Sequence, residues 1–312
     1  MKFFLAPMQG LTGYIVRNAF HHHFDYIDKY YTPFIPAAKR MNAKIKRDID
    51  PVNNDGITLI PQAMSIVADE VIDLHRQLVP YGYDEINVNL GCPSGTVVSK
   101  KRGSGILAYP DMLDSFLDEL YTKADFPVSI KTRVGFNDDE LWPKLIEIYS
   151  KYPISELTVH PRVQKDFYKD TPRMDDFALA VQKINPDKTI LCYNGDITDA
   201  NSFKALTDRF PDIDEIMIGR GLFANPALIA ELKGISMDKA ELRERLKNWH
   251  DEILSGYLSI FSGEKDAMFR MKEIWAYMHG LFPDSEKLWK KIKKSQTLTD
   301  YKSIVRMAFD AF

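Results

Sequence analysis

The sequence predicts an α/β protein, a (β/α)8 TIM barrel followed by a small all-helical domain at its carboxyl end. Eight short segments rich in apolar and β-branched residues alternate, for the most part, with longer amphipathic segments. Apolar strands that alternate with helices are typical of a parallel sheet covered on its outer face. Eight such units without a ninth favour a closed barrel over an open, doubly wound sheet. After residue 221 the alternation gives way to helical patterns alone.

The length and the pattern together suggest two domains. A chain of 312 residues is long enough for a barrel of about 250 residues with one appendage, or for two ordinary domains. We expect a barrel domain at 1–234 and a helical domain at 235–312. The predicted strands span residues 2–6, 27–32, 58–62, 85–89, 128–132, 156–160, 189–193 and 215–219. The clearest predicted helices span residues 68–79, 111–121, 138–150 and 199–207.

The composition is that of an ordinary globular chain, with 45% hydrophobic residues, 27% charged residues and a net charge of −3. Residues 235–312 carry a small excess of basic side chains, so any contact with nucleic acid is expected to be a local patch. No apolar run approaches the roughly 20 residues of a membrane helix. Residues 1–7 are too short for the apolar region of a signal peptide. We therefore expect a cytoplasmic monomer that does not bind membranes.

The sequence contains no recognisable metal motif. Its two cysteines, Cys92 and Cys192, form neither a disulfide framework nor a zinc spacing. The histidine triplet at 21–23 could bind a metal ion. It lies in an amphipathic segment between two phenylalanines, however, and a solvated helix end is the favoured interpretation. We expect no metal site.

Polar or ionisable residues mark seven of the eight predicted strand ends. Catalytic groups of such barrels lie at these ends, and stability alone does not require the pattern. The residues that we single out, in chain order, are Pro7, Met8, Gln9, Gln62, Asn89, Cys92, Lys131, Arg133, His160, Arg162, Asn194, Gly195, Asp196, Gly219 and Arg220.

The last two strand ends are candidates for a phosphate site. Such barrels often bind phosphate with the loops after strands seven and eight and the amino end of a short extra helix. Gly195 and Gly219 would let backbone N–H groups approach an anion, and Arg220 could pair with it through two donors. The helix after Pro226 would point its positive end towards the same place. The alternative is a tight turn with a surface arginine.

Lys131 ends an otherwise apolar strand, so its ammonium group must find an anionic partner or lose its proton. A flavin ring fits this need, because hydride uptake builds negative charge at its N1–O2 edge. Gln62 and His160 could hydrogen-bond to the pyrimidine edge of the same ring. The alternatives are a Schiff-base lysine, as in aldolases, and a core lysine paired with a carboxylate.

The two cysteines have different expected roles. Cys92 follows a strand end in a loop, so it is expected at the mouth of the barrel, although buried structural cysteines are more common in general. A thiol with a pKa near 8.5 is mostly protonated at neutral pH and can donate a proton. Cys192 lies inside the seventh predicted strand and is expected in the core.

These residues, taken in order, resemble the tRNA-dihydrouridine synthase family over roughly residues 4–232. Single motifs are weak, but the ordered set is specific. The matching motifs are Ala-Pro-Met-Gln-Gly at 6–10, Asn-Leu-Gly-Cys-Pro-Ser at 89–94, Lys-Thr-Arg at 131–133, His-Pro-Arg-Val-Gln at 160–164 with Tyr168, Asn-Gly-Asp-Ile at 194–197 and Gly-Arg-Gly-Leu-Phe-Ala-Asn-Pro at 219–226.

The resemblance implies reduction of the C5–C6 double bond of a uridine in tRNA, with FMN as the cofactor and NADPH as the usual reductant. It implies that Cys92 protonates C5 and that Asn89 lies close to the uracil. The implied flavin contacts come from residues 7–9, from Gln62, Lys131 and His160 at the polar edge, and from residues 194–196 and 219–220 at the phosphate.

A paired base cannot reach a flavin inside a barrel, so the target uridine must be flipped out of the RNA. RNA contacts then depend on shape and on phosphates around this nucleotide. The basic cluster at 290–294 is a further RNA candidate, and a solvated helix face is its alternative. The remaining substrate candidates are Lys100, Lys101, Arg102, Arg133, Arg162, Arg270 and Lys272.

Two other function classes remain possible at this point. One is a different flavin barrel, such as a dihydroorotate dehydrogenase or an ene-reductase, which does not account for the Cys92 loop. The other is a non-catalytic RNA-binding module, against which Cys92, Lys131 and His160 argue. Gly13 departs from the family, whose members usually carry an acidic residue near this position. This departure affects the expected substrate subgroup.

Overall fold

The strands form one parallel sheet in the computed structural model, which describes residues 1–37 and 40–312. Ten strands occur in this part of the chain. They are β1 (Lys2–Leu5), β2 (Lys29–Tyr31), β3 (Ile35–Pro36), β4 (Leu59–Ile60), β5 (Gln62–Met64), β6 (Ile86–Leu90), β7 (Val128–Gly135), β8 (Glu156–Val163), β9 (Ile190–Tyr193) and β10 (Glu215–Ile218). Their order in the sheet is β3-β5-β6-β7-β8-β9-β10-β1-β2-β4.

The sheet closes into a barrel at Pro61. β4 pairs with β2 at one end of the strand order, whereas β5 pairs with β3 and β6 at the other end. Only Pro61, which has no N–H to donate, separates β4 from β5, so one short segment joins both ends of the sheet. The third predicted strand is therefore divided into β4 and β5, and the second corresponds to β2, which the short β3 follows. The prediction of an eight-unit barrel is confirmed.

Fourteen α-helices occur in the described residues, and the four that the sequence predicted most clearly begin and end within a few residues of the expected positions. The helices are α1 (Tyr14–His23), α2 (Ala43–Ile49), α3 (Ala68–Leu78), α4 (Gly95–Val98), α5 (Pro110–Lys123), α6 (Trp142–Lys151), α7 (Met174–Lys183), α8 (Ala200–Arg209), α9 (Arg220–Ala224), α10 (Leu228–Leu232), α11 (Lys239–Ile260), α12 (Glu264–Met278), α13 (Ser285–Lys294) and α14 (Leu298–Ala311).

Strands β7 and β8 are longer than predicted, which changes the position of two arginines. The sequence placed their ends at residues 132 and 160, whereas the strands continue to Gly135 and Val163. Arg133 and Arg162 therefore lie inside strands, and each is only 1% exposed. Side chains two residues apart in a strand share a face. Arg133 thus follows Lys131 on one face of β7, and Arg162 follows His160 on one face of β8.

The barrel interior is partly polar. A small apolar cluster, separate from the main core, contains Phe4, Tyr31, Met217 and the fully buried Cys192, as expected for this cysteine. Next to it, the carboxylate of Glu156 accepts hydrogen bonds from Tyr31 at 2.7 Å and from the ammonium group of Lys29 at 2.6 Å. No pattern in the sequence predicts this buried ion pair.

The helices after α10 pack directly on the barrel, and none of the described residues after β10 forms a strand. Trp249 of α11 contacts Phe20 of α1, with ring centroids 5.2 Å apart. His22 and His23, in the last turn of α1, hydrogen-bond to Glu252 of α11. The expected domain boundary at residue 234 stays a prediction. No helix among the described residues combines the length and the apolar character needed to span a membrane.

We predict that Gly256→Val destabilises the protein by about 1–3 kcal/mol, the usual cost of overpacking. A Cβ atom at Gly256 of α11 would lie 2.6 Å from a methyl group of Ile15, which is buried in α1. The measurement is thermal unfolding. Gly280→Val is the matched control, because nothing lies within 4 Å of a Cβ at Gly280. Equal melting temperatures for both variants would contradict close packing of α1 on α11.

Candidate active site

A cavity of about 400 Å³ opens at the carboxyl ends of the strands, where the sequence placed the site. We call it the main cavity. Its lining combines ten of the predicted site residues with aromatic and loop residues that were not predicted. The lining residues are Pro7, Met8, Gln9, Leu11, Phe34, Gln62, Asn89, Gly91, Cys92, Pro93, Ser94, Lys131, Arg133, His160, Phe167, Tyr168, Arg220 and Tyr277.

A smaller recess adjoins the main cavity and brings the ends of several strands together. Lys131, His160 and Arg220 line both spaces. The recess is also lined by the loops after β9 and β10, through residues 194–196 and Gly219. The side chains that the sequence placed at separate strand ends therefore surround one continuous space.

Lys131 has no carboxylate partner among the described residues, in contrast to Lys29 at the other end of the barrel. Burial, together with the nearby charge of Arg133, lowers the pKa of Lys131 from 10.5 to about 7. Its amine faces both the main cavity and the recess. The interpretation of Lys131 as a core lysine paired with a carboxylate does not fit this geometry. The amine is available to an anionic ligand.

His160 is neutral in this environment. Burial and the positive charges of Arg133, Lys131, Arg162 and Arg220 hold the pKa of His160 well below its usual range. The guanidinium of Arg162 lies 3.1 Å from Nε2 of His160. Because a guanidinium can only donate, Nε2 must accept this hydrogen bond and the ring proton must reside on Nδ1. His160 can therefore donate a hydrogen bond from Nδ1 without carrying a charge.

A chain of amide side chains fixes the loop that carries Cys92. The side-chain oxygen of Asn89 accepts from the backbone N–H of Cys92 at 2.9 Å. The amide nitrogen of Asn89 donates to Gln62 at 2.7 Å, and Gln62 donates to Asn87 at 2.8 Å. On the other side of the loop, Ser104 donates to the carbonyl of Cys92 at 2.9 Å. Both peptide groups of Cys92 are held, so its thiol has a defined position in the cavity.

Burial raises the pKa of the Cys92 thiol above its ordinary value, although a hydrogen bond from the backbone of Ser94 and the charges of Arg133 and Lys131 lower it in part. The side chain of Cys92 is half-buried, and its thiol is free, without a disulfide bond. It therefore keeps its proton at neutral pH, as a proton donor must.

The recess is a small space of about 60 Å³ with one arginine, Arg220, in its lining. Asp196 accepts from Arg220 at 2.6 Å and also pairs with Arg162, and these arginines lower the pKa of its carboxyl group. Gly195 must lack a side chain, because a Cβ there would lie 2.0 Å from the hydroxyl of Tyr193. The helix that begins at the recess is α9, which starts at Arg220. A helix does follow Pro226, namely α10, but none of its residues lines the recess, and the expected direction of its amino end stays a prediction.

Several residues that were predicted to contact RNA form hydrogen bonds or ion pairs within the protein. Lys272 donates to the carbonyl of Ser295 at 2.7 Å, just beyond the end of α13, and the buried Arg162 is held by Asp196 and by the carbonyl of Asp170. Neither position fits a direct contact with RNA. Arg133 donates to the carbonyls of Gly91, Val163 and Phe167. Arg133 still lines the main cavity, so it can reach only a base that enters it.

The other predicted contacts remain accessible. Lys100 and Lys101 are exposed beside the Cys92 loop, whereas Arg102 is half-buried and pairs with Glu70 at 3.2 Å. Arg270 of α12 pairs with Glu273 at 2.7 Å and lies against the first loop of the barrel. The basic residues of the 290–294 cluster lie on α13, on its exposed side for the most part.

The comparison with known families agrees with this geometry. The family model described as dihydrouridine synthase (Dus) matches residues 4–311, nearly the whole chain. This chain belongs to the dihydrouridine synthase family. It is 26% identical to the tRNA-dihydrouridine synthase B of Pasteurella multocida, over 91% of this chain and 85% of that protein. It is also 26% identical to a probable tRNA-dihydrouridine synthase of Staphylococcus aureus, over 97% of this chain and 92% of that protein.

Solved structures show the same fold outside this family. A variant of NCR from Zymomonas mobilis superimposes with a TM-score of 0.52, over 80% of this chain and 90% of that chain, at 11% identity. The old yellow enzyme from Trypanosoma cruzi superimposes with a TM-score of 0.52 at 8% identity, over 80% of this chain and 94% of that chain. At such low identity these likenesses support the barrel fold alone.

In this dihydrouridine synthase family member, the wall of the main cavity includes aromatic residues that were not among the predicted site residues. Tyr168 lies 6.2 Å from the ring of His160 and stacks with the guanidinium of Arg220 at 4.8 Å. Phe34 and Tyr277 complete the wall of the main cavity. The position of Tyr168 shortly after a motif was a signal for it. Tyr277 lies near the end of a tail helix, and no sequence signal placed it at the barrel.

We predict that the stability of the ligand-free protein rises with pH between about 7 and 10.5 in a way that depends on Lys131. In this range the unfolded chain holds a proton on Lys131 that the folded chain has released, so unfolding takes up a proton and becomes less favourable as pH rises. Lys131→Met removes this contribution. The Lys131→Met variant should therefore be more stable than the wild type near pH 7, and this difference in the free energy of unfolding should decrease as pH increases.

The measurement is urea unfolding at pH 7, 8 and 9, with Lys100→Met as the control because Lys100 is exposed. Parallel pH curves for Lys131→Met and the wild type would contradict the lowered pKa of Lys131.

Proposed function

We propose that this protein is a tRNA-dihydrouridine synthase that holds FMN in the main cavity and recess, accepts electrons from NADPH, and reduces the C5–C6 double bond of a uridine in tRNA. The observation that carries the proposal is the meeting of Lys131, His160 and Arg220 around one space at the rim of a parallel barrel. Membership of the dihydrouridine synthase family and the names of the curated relatives support it.

The residues present fit FMN. Lys131 offers a cation without a carboxylate partner in the described residues, and its anionic counterpart would be the N1–O2 edge of the flavin. His160 offers a neutral Nδ1–H donor beside it. Pro7, Met8 and Gln9 line the cavity wall and would lie against the ring system. Gln62 is oriented by its hydrogen bonds and would contact the pyrimidine edge.

The recess fits the phosphate of FMN. Arg220, Gly219 and residues 194–196 line it, and Arg220 would pair with phosphate through its planar fork. We assign the carboxylate of Asp196 a positioning role, since it holds Arg162 and Arg220 and would repel an anion directly. The backbone N–H groups of this loop are the better phosphate contacts.

Reduced FMN would supply the hydride that adds to C6 of uracil. The protein supplies the matching proton: the Cys92 thiol donates it to C5, which leaves a thiolate that solvent must reprotonate. Asn89 keeps the Cys92 loop in place through the backbone N–H, and Arg133 holds the same loop through the carbonyl of Gly91. Tyr168 and Arg133 lie on the wall beside Cys92 and would limit how the uracil enters.

The RNA must deliver a flipped nucleotide to this cavity. The exposed Lys100 and Lys101, beside the Cys92 loop, are placed to contact phosphates near the entrance, and Arg270 lies on the side of the tail. The basic face of α13 is a more distant candidate surface.

Mass spectrometry of tRNA from a strain that lacks this protein tests the proposal. One position should lack the mass of the two hydrogens added by reduction, and the purified protein should show the absorbance of a bound flavin. If no tRNA position changes and the protein binds no flavin, the assignment is wrong.

We predict that Cys92→Ala slows uridine reduction by about 10²–10⁴-fold, the usual contribution of a general acid. Flavin content and NADPH oxidation by oxygen should be retained, because these steps do not need a proton at C5. Dihydrouridine formation in tRNA is measured alongside NADPH oxidation. The control is Cys192→Ala, which changes the other cysteine, inside the core, and should keep normal activity per bound flavin. Full activity of Cys92→Ala would remove this thiol from the mechanism.

A further inference from the structure

A second cavity of about 380 Å³ lies beside the main cavity, between the barrel and the helical tail. Gln9 and Phe34 line both cavities, so the two are neighbours that share a wall. The other sides come from α2 of the barrel and from the end of α11 and Arg270 of the tail. None of the steps described above uses this space, although its volume is in the range of small-ligand sites.

The lining of the second cavity combines aromatic and cationic side chains. Tyr14, Phe34 and Phe261 line it as aromatic residues, and Lys44 and Arg47 of α2 line it as exposed cations. Neither of these two cations has a salt-bridge partner in the part of the chain that the structure describes. Aromatic faces next to cations are the means by which proteins bind unpaired nucleotides, through base stacking and phosphate contacts.

The carboxylate of Asp48 also lines the second cavity, but its charge is partly neutralised by its partners, so it repels an anion less strongly. The carboxylate of Asp48 accepts from the backbone N–H of Tyr14 at 2.7 Å and pairs with Arg17, which is fully buried, at 3.3 Å. Gly13 also lines the cavity, and a Cβ there would lie 3.2 Å from the same carboxylate. The absence of a side chain at Gly13 thus keeps this part of the cavity open.

We propose that the second cavity binds the nucleotide of the RNA next to the one held in the main cavity, with its base against Phe261 and its phosphate near Lys44 and Arg47. This inference rests on the proposed function and adds a site that selects the sequence or shape around the target uridine. The position of this cavity next to the main cavity favours RNA as the occupant, because consecutive nucleotides would fill adjacent cavities. Charge complementarity supports the same occupant.

The experiment compares the wild type with the double variant Lys44→Ala/Arg47→Ala and with Phe261→Leu, which keeps apolar volume but removes the aromatic face. Lys46→Ala is the matched control, since Lys46 is an exposed cation on the same helix but outside the lining. Equilibrium binding of the flavin-loaded protein to the tRNA is measured by fluorescence anisotropy at several salt concentrations. KM values for tRNA and for NADPH are measured in parallel, and melting temperatures confirm folding.

We expect the double variant to bind tRNA about tenfold more weakly. In a plot of the logarithm of the association constant against the logarithm of the salt concentration, the slope should become shallower. The change should be about 0.7–0.9 for each phosphate that the protein no longer neutralises. Phe261→Leu should weaken binding about fivefold or more, as expected when one base no longer stacks. KM for tRNA should rise in both, whereas KM for NADPH and flavin content should not change. Lys46→Ala should match the wild type.

Three results would overturn the inference: unchanged tRNA binding, an equal weakening in Lys46→Ala, or an increase in KM for NADPH instead of tRNA, which would assign the cavity to the dinucleotide. Because binding is measured without turnover, the outcome is separate from that of the proposed function. A wild type that forms no dihydrouridine, together with a double variant of reduced tRNA affinity, would refute the activity and keep the RNA site.

Discussion

The rest of the site depends on an excess of positive charge around His160. Burial, together with the positive charges of Lys131, Arg133, Arg162 and Arg220, lowers the pKa of this imidazole and keeps it uncharged. Like charges at close range repel one another most strongly where water is excluded. Asp196 pairs with only two of the four cations. The arrangement therefore favours an anionic ligand, which would also restore the charge of Lys131, and the FMN that we propose carries negative charge at the two places where the cations are found.

Cys92, the proton donor that we propose, lies close to two of these cations, Arg133 and Lys131. Nearby cations alone would lower the pKa of Cys92, yet burial outweighs them and keeps the thiol protonated. Burial is maintained because Asn89 and Ser104 hold both sides of the loop through backbone hydrogen bonds. The same Asn89 side chain connects to Gln62, which lines the cavity from another strand. The loop position and the cavity wall are thus parts of one hydrogen-bonded unit.

The sequence predicts much of this architecture, because strand alternation and strand-end chemistry are local properties. Eight units, the parallel sheet and the position of Lys131 at the rim all follow from short segments. Long-range geometry does not. The division of the third predicted strand around Pro61 depends on pairing with both sheet ends. The burial of Arg162 depends on how far β8 continues, and the hydrogen bond of Lys272 depends on where the end of α13 lies. In each case the deciding partner is distant in the sequence.

The helical tail belongs to the site as much as the barrel does. Tyr277 of α12 forms part of the wall of the main cavity, and Arg270 of the same helix lies against Gly10 in the first loop of the barrel. The close approach of Gly256 to Ile15 fixes α11 on α1, and α11 ends at the second cavity. A shift of the tail would therefore open the main cavity and alter the second one at the same time. The RNA contacts that we propose for the second cavity and the chemistry that we propose for the main cavity are therefore coupled, because α12 lines both cavities, through Arg270 and Tyr277.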